Sequence, residues 1–377
     1  MIYLDNASTT KPSERAKEAV FAAMENFGNP SSMHRLGIDA EKIIKKSAEN
    51  VAGVLGVRPE DIYFTSGGTE ANNTAILGFC QKNKKRGRHI IATKIEHPSV
   101  LEPFRKLEKE GFEVTYIGVD KNGVLALDEF EKALREDTIF VSCMWVNNET
   151  GNIQPVDKLK EIMKKHAPNA ALHVDAVQAF GKIECKPKKH GIDLLSLSAH
   201  KIHGIKGTGA LYINSVNAEP LLIGGGQQKN MRSGTENVVG ISALGAACME
   251  ISLASKFEKN AALKERLMKG ILDKIPKVKV NGFGDMSPYV LNISFLGIKA
   301  EILLHALEAQ GIFVSTGSAC SSNKPMPSHV LSAMGCSREE IMGAVRFSFG
   351  ADIDEGDIDT VVSVLEKEVG NIRKYMR

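Results

Sequence analysis

The segment Ser196-Leu197-Ser198-Ala199-His200-Lys201 ends an apolar run that begins at Leu194, and the glycine-rich residues 202–209 follow it. The apolar run predicts a buried strand, and an amine at its end is costly to bury. A Schiff base with an aldehyde cofactor removes the charge of such an amine and is one chemical reason for its position. The alternative is a solvated lysine after a strand, and a lone lysine does not decide between the two.

The composition excludes several classes of protein. The 377 residues are 43% hydrophobic and 25% charged, with a net charge of +3, which gives no basis for nucleic-acid binding by bulk charge. The sequence contains no long apolar run that predicts a membrane span, and its first residues do not resemble a signal peptide. Six scattered cysteines without a Cys-x-x-Cys pair argue against a disulfide scaffold or a structural zinc site. We therefore expect a cytoplasmic protein with no membrane contact and no direct nucleic-acid contact.

Strand and helix patterns alternate along the chain and predict two domains. Seven short β-rich runs, at residues 62–64, 88–95, 112–119, 138–146, 172–175, 194–198 and 210–213, are separated by helical patterns. They predict an α/β domain with a mostly parallel seven-stranded sheet between helices. One long helical stretch over residues 238–274 and fewer strands then predict a smaller α+β domain. The predicted division is residues 15–250 for the large domain, and residues 1–14 with 251–377 for the small one.

Polar residues follow several of the predicted strands. The turn Thr65-Ser66-Gly67-Gly68-Thr69-Glu70 opens a helix, and its glycines and free N–H groups favour a phosphate, although such turns are common without a ligand. Asp175 ends another strand, where it would pair with a protonated pyridine nitrogen or cap the next helix. His97 and Asn147 follow two further strands. Because parallel strands end at one edge of a sheet, these residues and Lys201 predict a ligand site there.

The order and spacing of these motifs resemble those of cysteine desulfurases of the NifS/IscS type, which are pyridoxal-phosphate (PLP) enzymes of fold type I in the class V aminotransferase group. The resemblance runs from end to end, through residues 3–7, 28–34, 65–73, 96–97, 146–151 with 154–155, 175–178, 196–201, 224–227 and 232–237. Ile205 stands where a proline is common, and Lys229-Asn230 replace a more usual Arg-Gly pair. Neither departure touches the implied chemistry.

The resemblance implies pyridoxal 5'-phosphate as the cofactor and a role for each matching residue. Lys201 would hold the cofactor covalently, Asp175 would pair with its pyridine nitrogen, and Gln178 would hydrogen-bond its phenolic oxygen. His97 would stack over the ring and transfer protons. The implied phosphate ligands are Gly68, Thr69, Ser198 and His200, with Thr235 from the second subunit of a homodimer. The implied ligands of the substrate carboxylate are Asn147 and Arg346, whose guanidinium suits that group.

Cys320 lies in Gly317-Ser318-Ala319-Cys320, among small and polar residues that predict an exposed, mobile loop. The resemblance implies that its thiolate takes sulfur from L-cysteine, which leaves L-alanine and a persulfide. An acceptor such as an iron–sulfur scaffold or a tRNA-thiolation enzyme would then receive the sulfur. No resident metal site is predicted, and the sequence leaves open whether Cys320 ligates a transferred iron–sulfur cluster.

The other cysteines predict no role in catalysis. Cys80, Cys143 and Cys248 lie in apolar runs that predict buried thiols, whereas Cys185 lies in a lysine-rich turn that predicts an exposed one. Cys336 precedes a capping-box pattern, and a helix N-terminus can lower a thiol pKa. We interpret its position there as incidental.

Three alternative functions stay open at this point. A selenocysteine lyase would share the fold and the cofactor. A plain class V aminotransferase would share them too, but it needs no thiol on a loop, so Cys320 argues against it. A non-catalytic scaffold would have no reason to keep Lys201, Asp175, His97 and Cys320 together.

Overall fold

A computed structural model describes residues 1–316 and 327–375. The strands, in chain order, are β1 (Ile2–Tyr3), β2 (Ile62–Thr65), β3 (His89–Thr93), β4 (Glu113–Ile117), β5 (Thr138–Met144), β6 (Ala171–Asp175), β7 (Leu194–Ser198), β8 (Gly209–Ile213), β9 (Val278–Asn281), β10 (Val290–Phe295), β11 (Ile312–Phe313), β12 (Ser315–Thr316) and β13 (Ala344–Ser348).

The α-helices, in chain order, are α1 (Glu14–Glu25), α2 (Arg35–Leu55), α3 (Gly68–Asn73), α4 (Phe79–Asn83), α5 (Pro98–Lys109), α6 (Leu127–Ala133), α7 (Val156–His166), α8 (Val238–Cys248), α9 (Leu253–Lys274), α10 (Ala300–Glu308), α11 (His329–Ala333), α12 (Arg338–Met342) and α13 (Glu355–Tyr375). A π-helical segment, Thr74–Gly78, joins α3 to α4 in one continuous helical run.

The central sheet has seven strands in the order β2-β8-β7-β6-β5-β3-β4. Its strands pair in parallel except β8, which is antiparallel to both β2 and β7. Each of the seven β-rich runs in the sequence forms one of these strands. The prediction of a mostly parallel seven-stranded sheet is therefore confirmed.

Helices cover both faces of this sheet, which explains why its inner strands are buried throughout. Every residue of β3, β5, β6, β7 and β8 is buried. On one face, Val51 of α2 and Leu244 of α8 belong to the same core as Leu197; on the other, Phe79 of α4 and Phe104 of α5 share a core with β-strand residues. Each such side chain contributes about 1.5–3 kcal/mol by leaving water.

A second core lies under a four-stranded antiparallel sheet of order β12-β13-β10-β9. It contains Leu267 of α9, Ile293, Phe347 and Leu365 of α13. The first residues of the chain join this core because β1 pairs in parallel with β11, which buries Leu4 there. The boundaries of the two predicted domains stay a prediction.

The predicted long helical stretch over residues 238–274 forms two helices rather than one. Helix α8 ends at Cys248, α9 begins at Leu253, and the two helices lie at 79° to one another. Ten of the eleven residues of α8 are buried, whereas α9 buries Asn260, Leu263, Leu267 and Ile271 on one side only. Helix α8 packs inside the large core, whereas the apolar side of α9 packs on the core under the four-stranded sheet. No single described helix is long and apolar enough to cross a membrane, and only the bent pair α8 and α9 meets that test by length and composition.

The prediction that Cys185 is exposed is wrong. Its side chain is 2% exposed and belongs to the large core, and burial raises the pKa of its thiol. The neighbouring Lys186 donates a hydrogen bond from Nζ to the carbonyl oxygen of Val54, at 2.7 Å. The turn thus directs the cysteine inward while the lysine ammonium binds a helix end. Cys80, Cys143 and Cys248 are buried, as predicted.

Candidate active site

A cavity of about 380 Å³ lies where β6 and β7 end, beside the start of α3 and α5. Most of the predicted site residues line it: Gly68, Thr69, His97, Asp175, Gln178, Ser198, His200, Lys201 and Arg346. Ala7 and Ser8, from the chain after β1, close another wall. The structure therefore brings residues from both cores to one site.

Lys201 projects from a single 3-10 turn, Ala199–Lys201, that follows the buried strand β7. Its Nζ donates hydrogen bonds to the carbonyl oxygens of Ala7 and Ser8, each at 2.7 Å. These contacts hold the amine against the cavity wall and tie the end of β7 to the N-terminal segment. A lysine fixed at this point is placed to meet the aldehyde of a bound cofactor.

Asp175 ends β6 with a carboxylate that is held on both oxygens. Oδ2 accepts a hydrogen bond from Asn72 Nδ2 at 2.8 Å, and Oδ1 accepts one from the backbone N–H of Val177 at 2.9 Å. The second contact closes the turn after β6, and no helix is described between β6 and β7, so the alternative that Asp175 caps a helix is wrong. Because the carboxylate is buried and lines the cavity, a cationic partner there would be favoured.

His97 caps α5 and lies at the cavity wall. Its Nδ1 accepts a hydrogen bond from the backbone N–H of Ser99 at 3.1 Å and lies 2.8 Å from the Ser99 hydroxyl. Burial lowers the pKa of His97, Asp175 opposes that shift, and Lys201 and His329 add to it. The ring is therefore neutral at neutral pH, which is the form that can take up a proton.

Gln178 is fixed at both ends of its amide. Nε2 donates a hydrogen bond to the carbonyl oxygen of Ala7 at 2.8 Å, and Oε1 accepts one from Lys182 Nζ, also at 2.8 Å. Lys182 is buried and was not among the predicted site residues. Its spacing of four residues from Gln178 was the only signal in the sequence.

The residues at the start of α3 and the end of β7 fit a phosphate group. Ser198 Oγ is buried and has no hydrogen-bond partner in the described part of the chain. A Cβ on Gly68 would lie 2.7 Å from a methyl carbon of Val177, so glycine keeps the backbone close to the cavity. Burial, with the nearby lysines Lys201, Lys206 and Lys182, lowers the pKa of His200 to about 4, so its ring is neutral. An unpartnered hydroxyl and free helix N–H groups suit a phosphate, and with Lys201 and Asp175 they fit pyridoxal phosphate.

Arg346, on β13, brings a cation to the opposite side of the cavity. Its Nη2 donates to Asp5 Oδ1 at 2.8 Å and to Ser8 Oγ at 2.6 Å, and its Nη1 donates to the carbonyl oxygen of Asn148 at 2.8 Å. Its side chain is 7% exposed. A guanidinium held at a cavity wall is suited to bind a substrate carboxylate.

Asn147 and Thr235 are not among the residues that line this cavity in the described structure. The side chain of Asn147 is fully buried, where Oδ1 accepts the backbone N–H groups of Glu149 and Thr150 and Nδ2 donates to Ile95. It organises the turn that presents Asn148 to the cavity. Thr235 is exposed, as a residue that serves a second subunit would be. Their predicted roles stay predictions.

Cys320 lies outside the described residues, and so does the rest of its predicted loop up to residue 326. The described chain resumes at residue 327, and the residues that follow contact polar groups near the site. Ser328 donates a hydrogen bond from Oγ to Glu149 Oε2 at 2.5 Å, and His329 Nε2 lies 2.8 Å from the carbonyl oxygen of Glu96, the residue before His97. Burial raises the pKa of Cys336 above its usual value, so this thiol is not activated by the adjacent helix.

The chain matches the aminotransferase class-V family over residues 2–361, and it belongs to that family. It is 45% identical over 382 residues to the cysteine desulfurase IscS of Clostridium botulinum, and the match covers 99% of this chain and 95% of the relative. It is 45% identical over 378 residues to the cysteine desulfurase IscS of Methanosarcina thermophila, across 99% and 93% of the two chains. Within the family, the chain is one of the cysteine desulfurases of the NifS/IscS type.

Solved structures agree with this placement. A NifS-like protein superposes with a TM-score of 0.93 at 38% identity, and the match covers 98% of this chain and 99% of that one. A structure described as SspA in complex with cysteine superposes with a TM-score of 0.83 at 31% identity, covering 93% and 99%. The fold is therefore that of the NifS-like PLP enzymes, as the sequence predicted.

Proposed function

We propose that the protein removes sulfur from L-cysteine, using pyridoxal 5'-phosphate, and releases L-alanine with a persulfide left on Cys320. The observation that carries this proposal is the cavity in which Lys201, Asp175, Gln178, His97 and the unpartnered Ser198 hydroxyl converge. The named relatives favour the desulfurase over a selenocysteine lyase or another class V enzyme.

The described residues divide the work of holding the cofactor. Lys201 would bind it covalently, Asp175 would face its pyridine nitrogen, and Gln178 would donate to its phenolic oxygen. Gly68, Thr69, Ser198 and His200 would hold its phosphate, with Thr235 of a second copy of this chain. When bound, the cofactor supplies an electron sink for the carbon that carries the substrate amine.

The remaining residues orient the substrate and move protons. Arg346 would bind the substrate carboxylate, and Asn147 would support it through the turn that carries Asn148. The neutral ring of His97 would accept the proton that leaves the substrate Cα. The Cys320 thiolate would attack the substrate sulfur. The new S–S bond forms as the C–S bond breaks, and the electron pair of that bond stays on the three-carbon fragment, which is protonated to alanine.

A second copy of this chain is part of the proposal. Large apolar side chains are exposed on α1 and after it, among them Phe21, Met24 and Phe27, and Ile223 is 88% exposed in the segment that leads to Thr235. A symmetric dimer would cover such a surface and bring Thr235 to the partner's cavity. The persulfide would then pass to an acceptor protein that serves iron–sulfur cluster assembly or tRNA thiolation. The described cysteines are unpaired, which supports a reducing cytoplasm as the location.

The test compares Cys320→Ala with Cys336→Ala in purified protein loaded with the cofactor. Both variants should show the visible absorbance of the bound cofactor. Cys336→Ala should release sulfide from L-cysteine in the presence of a thiol reductant at the wild-type rate, whereas Cys320→Ala should release none. Full sulfide release by Cys320→Ala would refute the proposal.

A further inference from the structure

Lys182 is a buried cation directly behind the candidate cofactor site. Its side chain is 7% exposed, and its Nζ hydrogen-bonds Gln178 Oε1 at 2.8 Å and lies 5.8 Å from the centre of the Tyr289 ring. It also borders a second cavity, of about 470 Å³, between the chain after β1 and the end of α8. A buried lysine needs a reason to be retained, because an apolar side chain of similar size would avoid the cost of burying its charge.

The amide of Gln178 is the group on which Lys182 acts. An amide can be turned by half a rotation, which exchanges its donor and acceptor ends with little change in shape. As an ammonium, Lys182 has only N–H donors, so the end of the amide that faces it must be the oxygen. The carbonyl oxygen of Ala7 accepts from the other end, at 2.8 Å, so that end must be the nitrogen. Both contacts select the same orientation.

One N–H of Gln178 Nε2 then serves Ala7, and the second remains for the cavity that Gln178 lines. We infer that Lys182 is a positioning residue that locks Gln178 with its N–H toward the cofactor site, so that the amide donates to the phenolic oxygen of pyridoxal phosphate and holds that oxygen ionised. The inference rests on the proposed function only in requiring that this cofactor binds. It gives Lys182 no contact with substrate or cofactor.

The charges around Lys182 agree with this arrangement. Burial lowers the pKa of Lys182 to about 7, and the cations Lys201 and Arg346 lower it further in the same direction. Lys182 in turn lowers the pKa of His200 and of His203. Above this pKa the neutral amine also has a lone pair, and the carbonyl oxygen of Ala7, which can only accept, is then the contact that selects the same orientation of the amide.

The test is the pH titration of the visible absorbance of the bound cofactor, which reports the ionisation of the group next to Gln178. Without Lys182 the carbonyl oxygen of Ala7 alone holds the amide, so the amide donates to the phenolic oxygen for a smaller share of the time. Weaker donation favours the protonated chromophore. Lys182→Met should therefore raise the pH midpoint by about one unit. Lys182→Gln, which keeps an N–H donor, should raise it less.

The matched control is Lys264→Met. Lys264 is also a lysine whose pKa burial lowers, to about 8, and its Nζ donates to the carbonyl oxygen of Ser287 at 2.9 Å, away from the cofactor cavity. This variant should keep the wild-type midpoint. A shift in Lys264→Met equal to that in Lys182→Met would mean that loss of any buried lysine disturbs the chromophore, and the inference would be overturned.

A double-mutant cycle separates positioning from a direct effect. If Lys182 acts through Gln178, Gln178→Ala and the double variant Gln178→Ala/Lys182→Met should have nearly the same midpoint. Full additivity of the two shifts, or a wild-type midpoint in Lys182→Met, would overturn the inference. The titration needs cofactor binding but no sulfur release. A loaded wild-type protein that releases no sulfide therefore refutes the desulfurase and leaves this result readable, whereas a wild-type protein that takes up no cofactor refutes both.

Discussion

The Arg346 guanidinium and the Asp5 carboxylate form an ion pair of 2.8 Å between residues that lie 341 positions apart in the chain. The pair connects β13 to the segment after β1. Arg346 is 7% exposed and Asp5 is 21% exposed at the side chain. Asp5 also accepts a hydrogen bond from Ser8 at 2.8 Å. The guanidinium expected to bind the substrate carboxylate is therefore already paired with a carboxylate and held in a fixed orientation before the substrate binds.

Asp5→Asn should weaken substrate binding and lower stability together. The change removes the negative partner of a buried guanidinium, although Ser8 and the carbonyl oxygen of Asn148 still accept from it. Because these contacts remain and Asp5 is partly exposed, we expect a loss of about 1–2 kcal/mol in the free energy of unfolding rather than the larger value for a fully orphaned charge. KM for L-cysteine should rise, and the cofactor absorbance should stay. Urea denaturation and steady-state kinetics measure both; an unchanged KM would contradict the positioning role of Asp5.

Ser198→Ala should move stability and cofactor affinity in opposite directions. The Ser198 hydroxyl is buried without a partner in the described structure, so its removal should stabilise the cofactor-free protein by up to about 1 kcal/mol. A hydrogen bond to a charged phosphate is worth about 1.5–3 kcal/mol, so the same change should weaken cofactor binding by at least about tenfold. Chemical denaturation of the cofactor-free protein and a cofactor titration measure the two effects.

The control for this prediction is Ser142→Ala. The Ser142 hydroxyl has a partner, because its Oγ lies 2.8 Å from Nδ1 of the buried His173. Its removal should destabilise the cofactor-free protein and leave cofactor affinity unchanged. Equal stability changes in the two variants would contradict the assignment of the Ser198 hydroxyl as an unpartnered group that binds the phosphate.

The central sheet and the edge that carries the site could be predicted because few alternatives satisfy the sequence. Short, mostly apolar runs such as Leu194–Ser198 favour strands inside a covered sheet, and parallel strands bring Asp175 and Lys201 to the same edge. The resemblance to known enzymes added the role of each residue. It could not show how those residues are held.

Three features depended on contacts that local sequence does not record. Cys185 lies among lysines, but packing against the large core, not its neighbours in sequence, decides its burial. The break between α8 and α9 follows from the two cores that these helices serve. A lysine in a turn usually has a solvated side chain, so the sequence does not predict a role for Lys182. That role is inferred from the hydrogen bond between Lys182 Nζ and Gln178 Oε1.

The stability of the cofactor-free protein should fall as the pH is lowered below 6.5, and His173 should account for part of the loss. This ring lies between Ser142 and Ser196, and burial lowers its pKa from 6.5 to about 3. The unfolded chain therefore binds a proton between these values that the folded chain does not, so this contribution is complete above pH 6.5 and declines as the pH falls. At pH 5 the loss from this group is on the order of 2 kcal/mol.

Urea denaturation at several pH values tests this prediction. His173→Gln should be less stable than the wild type at pH 7, and it should lose less stability than the wild type on going to pH 5. His166→Gln, which changes a histidine at the surface, serves as the control for the substitution itself. Parallel profiles for His173→Gln and the wild type would contradict the prediction.

Thiol reactivity should separate Cys320 from the five described cysteines. Alkylation requires the thiolate. Cys80, Cys143, Cys185 and Cys248 are buried with raised pKa values, so they should react only after unfolding. Cys336 is half-buried, and burial raises its pKa, so it should react at least about tenfold more slowly than Cys320. Timed treatment of the folded protein with iodoacetamide, followed by peptide mass spectrometry, gives each rate. Cys320→Ala should abolish the fast phase, and a fast phase that persists on Cys336 in that variant would make Cys336 a second candidate for the sulfur carrier.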